Sequence, residues 1–280
     1  MRRSYGFLSL PGQMVLLCAL ALLIFSGFPF VWMALTAFKP SQEVFATPPS
    51  LWPRTFTLAN VERLFSETKF LTYFGNSLSV SLSAVGLTLL LSTPAAYGLT
   101  RFRFYGREGI AATVLFTYMF APIMIVIPFY ITIRFLGLAN THLGLVMAYT
   151  GFCLPFNLWL LRSFFEGIPV EIEEAALTDG ASRFQAVIHV VLPLALPGVL
   201  ATGIVTFILA WNDYIFARVL LSRDELKTLP VGIADLYNAS VVDWGMITAA
   251  GLLVSAPVLG VFVFIQRYMV AGWGAGGLKG

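Results

Sequence analysis

Polar and apolar positions alternate along this chain on the scale of whole helices. Six stretches contain no Asp, Glu, Lys or Arg: 4–38, 70–100, 109–133, 135–161, 184–212 and 244–266. Within them the only titratable interruptions of basic type are His142 and His189. A helix that crosses a bilayer needs about 20 apolar residues, so each run is long enough. The pattern predicts spans at about 14–38, 74–99, 110–133, 140–162, 197–220 and 246–267 within a single membrane domain, 1–280. The fold class is therefore all-α, with six transmembrane helices. Residues 76–84, NSLSVSLSA, alternate like a strand. The run around them is far longer than a strand, so length overrules that period. Ser79, Ser83 and Gly86 would instead let helices approach closely.

Composition strengthens this reading. Hydrophobic residues make up 58% of the chain and charged residues 11%, with a mean hydropathy of +0.84. Soluble domains do not reach such values. The first run follows Arg2 and Arg3 but is too long for a signal-peptide core, and no small-residue cleavage site closes it before Lys39. It is read as a retained helix. The net charge of +3 gives no reason to expect nucleic acid. Cys18 and Cys153 lie inside spans, where packing is the simpler role than a disulfide or a metal site. Prolines 29, 94, 122, 128, 155 and 257 fall within spans. Such positions suit kinked, moving helices, and membrane helices also tolerate proline without any such purpose.

An even number of spans puts both termini on one face. With the N-terminus inside, nine cationic residues lie inside and eight outside. That margin does not orient the chain by count. Short loops carry most of the orienting signal, and Arg2–Arg3 with the short RFRFYGR loop favour cytosolic termini. The loop 39–73 is long and Pro-rich at its start, with a short amphipathic helix at Leu58–Phe65 capped by Thr57.

The segment between the fourth and fifth spans is the exception in charge. Glu166, Glu171, Glu173, Glu174 and Asp179 fall within fourteen residues and are five of the fourteen acids in the chain. On a cytosolic face such acid is repelled by the lipid surface. It is either a solvated surface helix or a docking element for a basic or polar partner. Pro169 can open a helix, and Glu171, Glu173 and Glu174 in its first turn complement the helix dipole. Ile172, Ala175 and Ala176 give a small-residue face. Gly180 suits the left-handed position that ends a helix. A second helix restarts after Ala181, with Phe184, Val187, Ile188 and Val191 at amphipathic spacing, and Pro193 and Pro197 end it. The product is a helix–turn–helix, about 166–193, fixed to two spans. A push on it would move helices four and five.

EEAALTDGASRFQAVIHVVLPLALP resembles the EAA loop of ABC importer permeases. Glu174, Ala175, Ala176, Gly180, Ile188, Leu192 and Pro193 fill the pattern, with the Ile one place from the commonest spacing. NSLSVSL, AAYGLTRFRFYGR, WNDYIFARVLL, TLPVGIADL and the C-terminal QRYMVAGWGAGGLKG are similar to the carbohydrate-uptake branch, and within it to the maltose-type (MalG-like) permease subunit. The resemblance covers residues 70–280, and the first 69 residues match it less. It implies a type I importer permease fold in a bacterial or archaeal cytoplasmic membrane. It also implies a second homologous permease, two cytosolic ATPase subunits that hold ATP and Mg, an extracytoplasmic solute-binding protein, and a sugar or related solute. Glu174 would pair with a basic group of the ATPase, and Gly180 would form the turn. Asp179 lies between them. The outer loops, 39–73 and 221–243, would meet the binding protein.

No cofactor, catalytic group or metal is expected in this chain. A phosphate-binding G-x-x-x-x-G-K-[ST] is absent, and the tail GWGAGGLKG does not substitute for it. That tail would lie near the ATPase interface. The rival is a stand-alone secondary transporter. Such carriers often place ionisable residues mid-span, whereas these spans are almost free of them. Asp213, near a span end, reads as an anchor more readily than as a solute contact. Asn157, Trp159, Trp211 and Asn212 are the candidates for the solute pathway, although aromatic residues at span ends also serve as interfacial anchors.

Overall fold

The computed structural model describes residues 10–239 and 242–276. The chain segments that carry Arg2, Arg3 and Lys279, on which part of the orientation argument rests, lie outside the described residues, as does the end of the glycine-rich tail. In chain order the helices are α1 (Leu10–Ala37), α2 (Ser41–Val44), α3 (Ala59–Glu67), α4 (Phe70–Arg101), α5 (Arg107–Thr117), α6 (Pro122–Phe135), α7 (His142–Glu166), α8 (Val170–Thr178), α9 (Arg183–Ala186), α10 (Leu192–Asn212), α11 (Ile215–Leu220), α12 (Leu229–Tyr237) and α13 (Trp244–Gly276). A π-helical turn, Val187–Val191, joins α9 to α10. Among the described residues five helices are long and apolar enough to cross a membrane, or six if the bent pair α5–α6 counts as one span.

That bend corrects the expected third span. The run 109–133 is not one helix: α5 and α6 meet at 103°. Pro122 opens α6, and Ala121 before it is extended (φ −60, ψ 141). A proline lacks the N–H of a helical bond and pushes the preceding residue out of the α region. Uncharged sequence alone does not register this. The fifth span is corrected at both ends. It runs continuously from Arg183 to Asn212, so Pro193 and Pro197 do not end a helix before it. The π turn widens the backbone just ahead of Pro193, where Leu192 N bonds back to Val187 O. The far end stops at Asn212, because Asp213 is extended (ψ 130).

Contacts group the chain into two compact units. Of the described residues, the first comprises those within 10–70 and 235–256, the second those within 71–234 and 257–276. In the first unit, Asn60 of α3 is fully buried and donates to the carbonyls of Ala37 (2.9 Å) and Lys39 (2.8 Å). Arg63 bonds Glu67 within α3 and Asp243 at 2.7 Å. The helix start is set by Leu58, with Thr57 accepting from Ala59 N rather than serving as the N-cap itself. In the second unit, Val80, Ala84, Val126, Leu145, Tyr149, Ala210 and Phe216 lie in one apolar cluster. A second cluster holds Ala96, Tyr97, Leu158, Leu161, Phe165, Ile168, Val191 and Ala195. Among the small residues of α4 that the second unit buries, Ser77, Ser81, Ala84, Thr88, Ser92 and Ala96 share one helical face. Ser79, Ser83 and Gly86, expected to mediate close approach, lie on the opposite, exposed face.

Candidate functional site: the acidic helix–turn–helix

The acidic segment folds as two helices with a fully bonded corner. Pro169 precedes α8 and is extended (ψ 135), so its missing N–H leaves no helical bond unmade. At the other end Gly180 has φ +92. Gly180 N donates to Leu177 O and Ala181 N to Ala176 O, both at 3.1 Å. These are the two bonds of a Schellman cap. Two residues later Ser182 and Gln185 form a reciprocal capping box that opens α9. The corner thus satisfies the helix ends on both sides.

Of the residues singled out by sequence, Glu174, Ala175, Asp179 and Gly180 are exposed and Ala176 is half-buried. Glu171, Ile172 and Val170 share that solvent-facing side of α8. Phe184, expected on the buried face of the second helix, is 75% exposed. The buried positions there are Ala186 and Val191. The π turn inserts an extra residue into the helical repeat and rotates the face. Phe184 and Ile188 border an open apolar groove of about 700 Å³ against Leu90 and Pro94 of α4.

Sequence reasoning missed the anchor of this element. Glu173, one residue before Glu174, is buried (4% exposed). Its Oε1 accepts from the Tyr97 hydroxyl at 2.5 Å, and its Oε2 lies 3.1 Å from Arg101 Nε. Arg101 also donates through Nη2 to Ile168 O at 2.8 Å. Tyr97 packs edge-on against Phe165 and Phe102. The Arg183 guanidinium lies over the Phe102 ring, 5.3 Å from its centroid. The available signal was the spacing of Tyr97 and Arg101, four apart on the last turns of α4. Nearby, Arg162 of α7 bonds both Glu166 and Glu108, each at 2.8 Å.

The proposed pathway residues divide. Asn157 is fully buried and donates to Cys153 O (2.8 Å) and Thr206 Oγ1 (2.9 Å), linking α7 to α10. Trp211 is also fully buried, stacked on Phe207 and edge-on to Phe74. Neither side chain reaches the surface of this subunit. Trp159 and Asn212 are exposed. Asp213 accepts from Tyr149 OH at 2.9 Å and from the amides of Phe216 and Ala217 that open α11. It is both a helix-end anchor and an interhelical bond. Among the described residues no cluster of three or more His, Cys, Asp or Glu could hold a metal.

Comparison with known proteins identifies relatives along almost the whole chain. Residues 89–273 match the family described as binding-protein-dependent transport system inner membrane component. The inner membrane ABC transporter permease protein YcjP of Escherichia coli K12 is 38% identical over 94% of this chain and 95% of its own. The sulfoquinovosyl glycerol transport system permease protein SmoH of Agrobacterium fabrum is 35% identical, covering 96% of this chain and 95% of its own. The trehalose/maltose transport system permease protein MalG of Thermococcus litoralis is 33% identical, covering 95% and 96%. Among solved structures, a chain of a bacterial ABC transporter involved in the import of the acidic polysaccharide alginate matches with a TM-score of 0.80 at 26% identity. That match covers 94% of this chain and 99% of the other.

Proposed function

Because the chain belongs to the family of binding-protein-dependent transport system inner membrane components, we propose that it forms half of the solute pathway of an ATP-driven carbohydrate importer and is driven through α8. The carbohydrate reading is supported by the named cargo of its relatives, which includes trehalose/maltose, diacetylchitobiose and sulfoquinovosyl glycerol. The chain is a multi-pass protein of the cytoplasmic membrane. In this reading both termini are cytosolic, and the subunit is non-catalytic. ATP and Mg are held by two separate ATPase subunits. A second permease completes the pathway, and an extracytoplasmic binding protein delivers solute to the outer loops.

The observation that carries this reading is the exposed acidic face of α8 on a rigidly capped corner. An exposed helix with apolar Val170, Ile172 and Ala175 among Glu171, Glu174 and Asp179 is a short docking ridge. It fits a partner groove with an apolar floor and a basic rim. Glu174, Ala175 and Ala176 would enter that groove. Asp179 and Gly180 would hold the corner that transmits the push. Asn157, Trp159, Trp211 and Asn212 would line the solute pathway, and of these Trp159 and Asn212 lie at the surface of this subunit.

The test is co-purification from gently solubilised membranes, with the chain expressed beside its genomic neighbours. The wild type should bring down a second permease and an ATPase, and Glu174→Lys should lose the ATPase. The reversal places like charge against a basic rim, which at an interface costs about 2–5 kcal/mol. A wild-type chain that purifies alone and moves sugar in liposomes without ATP would be a secondary carrier, and the importer reading would fall.

A further inference from the structure

We propose that Glu173, Tyr97 and Arg101 form a joint through which motion of α8 is delivered directly to α4. The proposal rests on the reading of α8 as the docking helix. Chain connectivity ties that helix to two spans: α7 through residues 167–169, and α10 through the Gly180 corner and the π turn. Nothing in connectivity ties it to α4, which ends almost seventy residues earlier. The side chains make that third attachment. Arg101 and Glu173 are 7% and 5% exposed as side chains, and their charged atoms lie 3.1 Å apart. Tyr97 holds the second carboxylate oxygen. Arg101 also grips Ile168 O, in the segment that leads into α8. The last two turns of α4 therefore hold the first turn of α8 and the chain before it.

A buried ion pair is a poor device for stability alone, since well-packed apolar residues often serve as well. Direction comes from the hydrogen bonds beside it: Tyr97 OH to Glu173 Oε1 and Arg101 Nη2 to Ile168 O hold one register, whereas apolar contact is non-directional and can slide. Glu173 also adjoins Glu174, so force taken up on the exposed face enters the joint one residue away. The three attachments let one push move α4, α7 and α10 together.

The experiment uses the assembled transporter in proteoliposomes, with environment-sensitive thiol labels and Mg-ATP against Mg-ADP as the stimulus. Exposed Cys18 is first replaced by Ser, while Cys153 is buried and left. One reporter is Ser83→Cys on α4 and the other Leu196→Cys on α10. In an otherwise unchanged chain both labels should respond to ATP. With Glu173→Gln, the ATPase should still co-purify, the α10 response should persist, and the α4 response should be lost. Glu173→Leu combined with Arg101→Met should regain thermal stability but not the α4 response. An α4 response that survives Glu173→Gln overturns the joint. So does a response that returns with stability in the double variant, or a loss of the ATPase in Glu173→Gln. If Glu174→Lys keeps its ATPase, the docking reading fails separately, and the comparison of the two reporters still judges the joint.

Discussion

Two adjacent glutamates occupy opposite environments because a helix turns each residue about 100° from the last. Glu173 faces Tyr97 and Arg101, and Glu174 faces solvent. Removing one partner of a buried pair strands the other charge, so Glu173→Ala should lower stability by about 3–5 kcal/mol. Glu174→Ala, on the surface, should stay within about 0.5 kcal/mol. Thermal unfolding in detergent distinguishes the two. Gly180 is the other position where one residue decides the geometry. A methyl group there meets no neighbour, but φ is +92. Gly180→Ala should therefore cost about 1–2 kcal/mol through backbone strain alone. The role of Gly180 was legible in the sequence, because a glycine after a short helical stretch carries its conformational meaning locally. The burial of Glu173 was not, because Tyr97 lies 76 residues upstream. A local reading therefore left Glu173 among the helix's other acids, with no partner inside this chain. The loop after α1 holds a titrating contact of a simpler kind. The Arg54 amide bonds the Glu43 carboxylate at 2.9 Å and holds it below its ordinary value of 4.5, with smaller help from Ser50 and Lys39. A carboxylate with a depressed folded pKa contributes order above its unfolded value and loses it as the pH falls through the folded one. Proteolytic protection of residues 40–54 should weaken below pH 4.5, and Glu43→Gln should remove that dependence.

At the scale of elements, apolar run length located the spans but not their interruptions. A run reports that backbone and side chains tolerate lipid, and says nothing of where the helical bonds break. Pro122 breaks its run and Pro29, Pro94 and Pro155 do not, since each of these lies inside a continuous helix. The difference lies in whether the residue before the proline can leave the α region, as Ala121 does. Pro193 shows a third outcome, in which a π turn absorbs the ring within a continuous span. Close packing between elements was equally hidden. Gly198 of α10 sits against the Phe164 ring of α7, and an added Cβ would overlap that ring. Gly198→Ala should lower stability by about 1–3 kcal/mol through overpacking. Phe164→Leu should recover part of that loss when combined with it, because the two positions share one space. Unfolding midpoints of the single and double variants measure the coupling.

At the scale of the second unit, side-chain bonds sort the loops into two groups that lie at opposite ends of α4. At its start, Asn76 donates to the carbonyls of Glu225 and Lys227, and Tyr73 bonds Asp224. His142 contacts Leu226 O at 3.0 Å, and Asn140 holds the amides of Ser222 and Arg223, so the start of α7 belongs to the same end. At the other end Arg101 reaches Ile168 and Glu173, and Arg162 joins Glu108 to Glu166. The 32 residues of α4 rise about 1.5 Å each, or about 48 Å, against a hydrocarbon core of about 30 Å. The two groups of loops must therefore face opposite sides of the membrane. The nine-to-eight split of cationic residues over the whole sequence could not orient them, whereas the short loop 102–106 with its flanking arginines argues for the cytosol. Tyr105 is fully exposed and Ser222 is exposed at the other end. In a Cys18→Ser background, Tyr105→Cys should react with a membrane-impermeant maleimide in inverted vesicles and be protected in right-side-out ones. Ser222→Cys should show the reverse. Reaction of both from one side would contradict the crossing of α4. Reaction of Tyr105→Cys from outside would put α8 where no cytosolic ATPase could reach it, and would remove the basis for driving this subunit through its acidic helix.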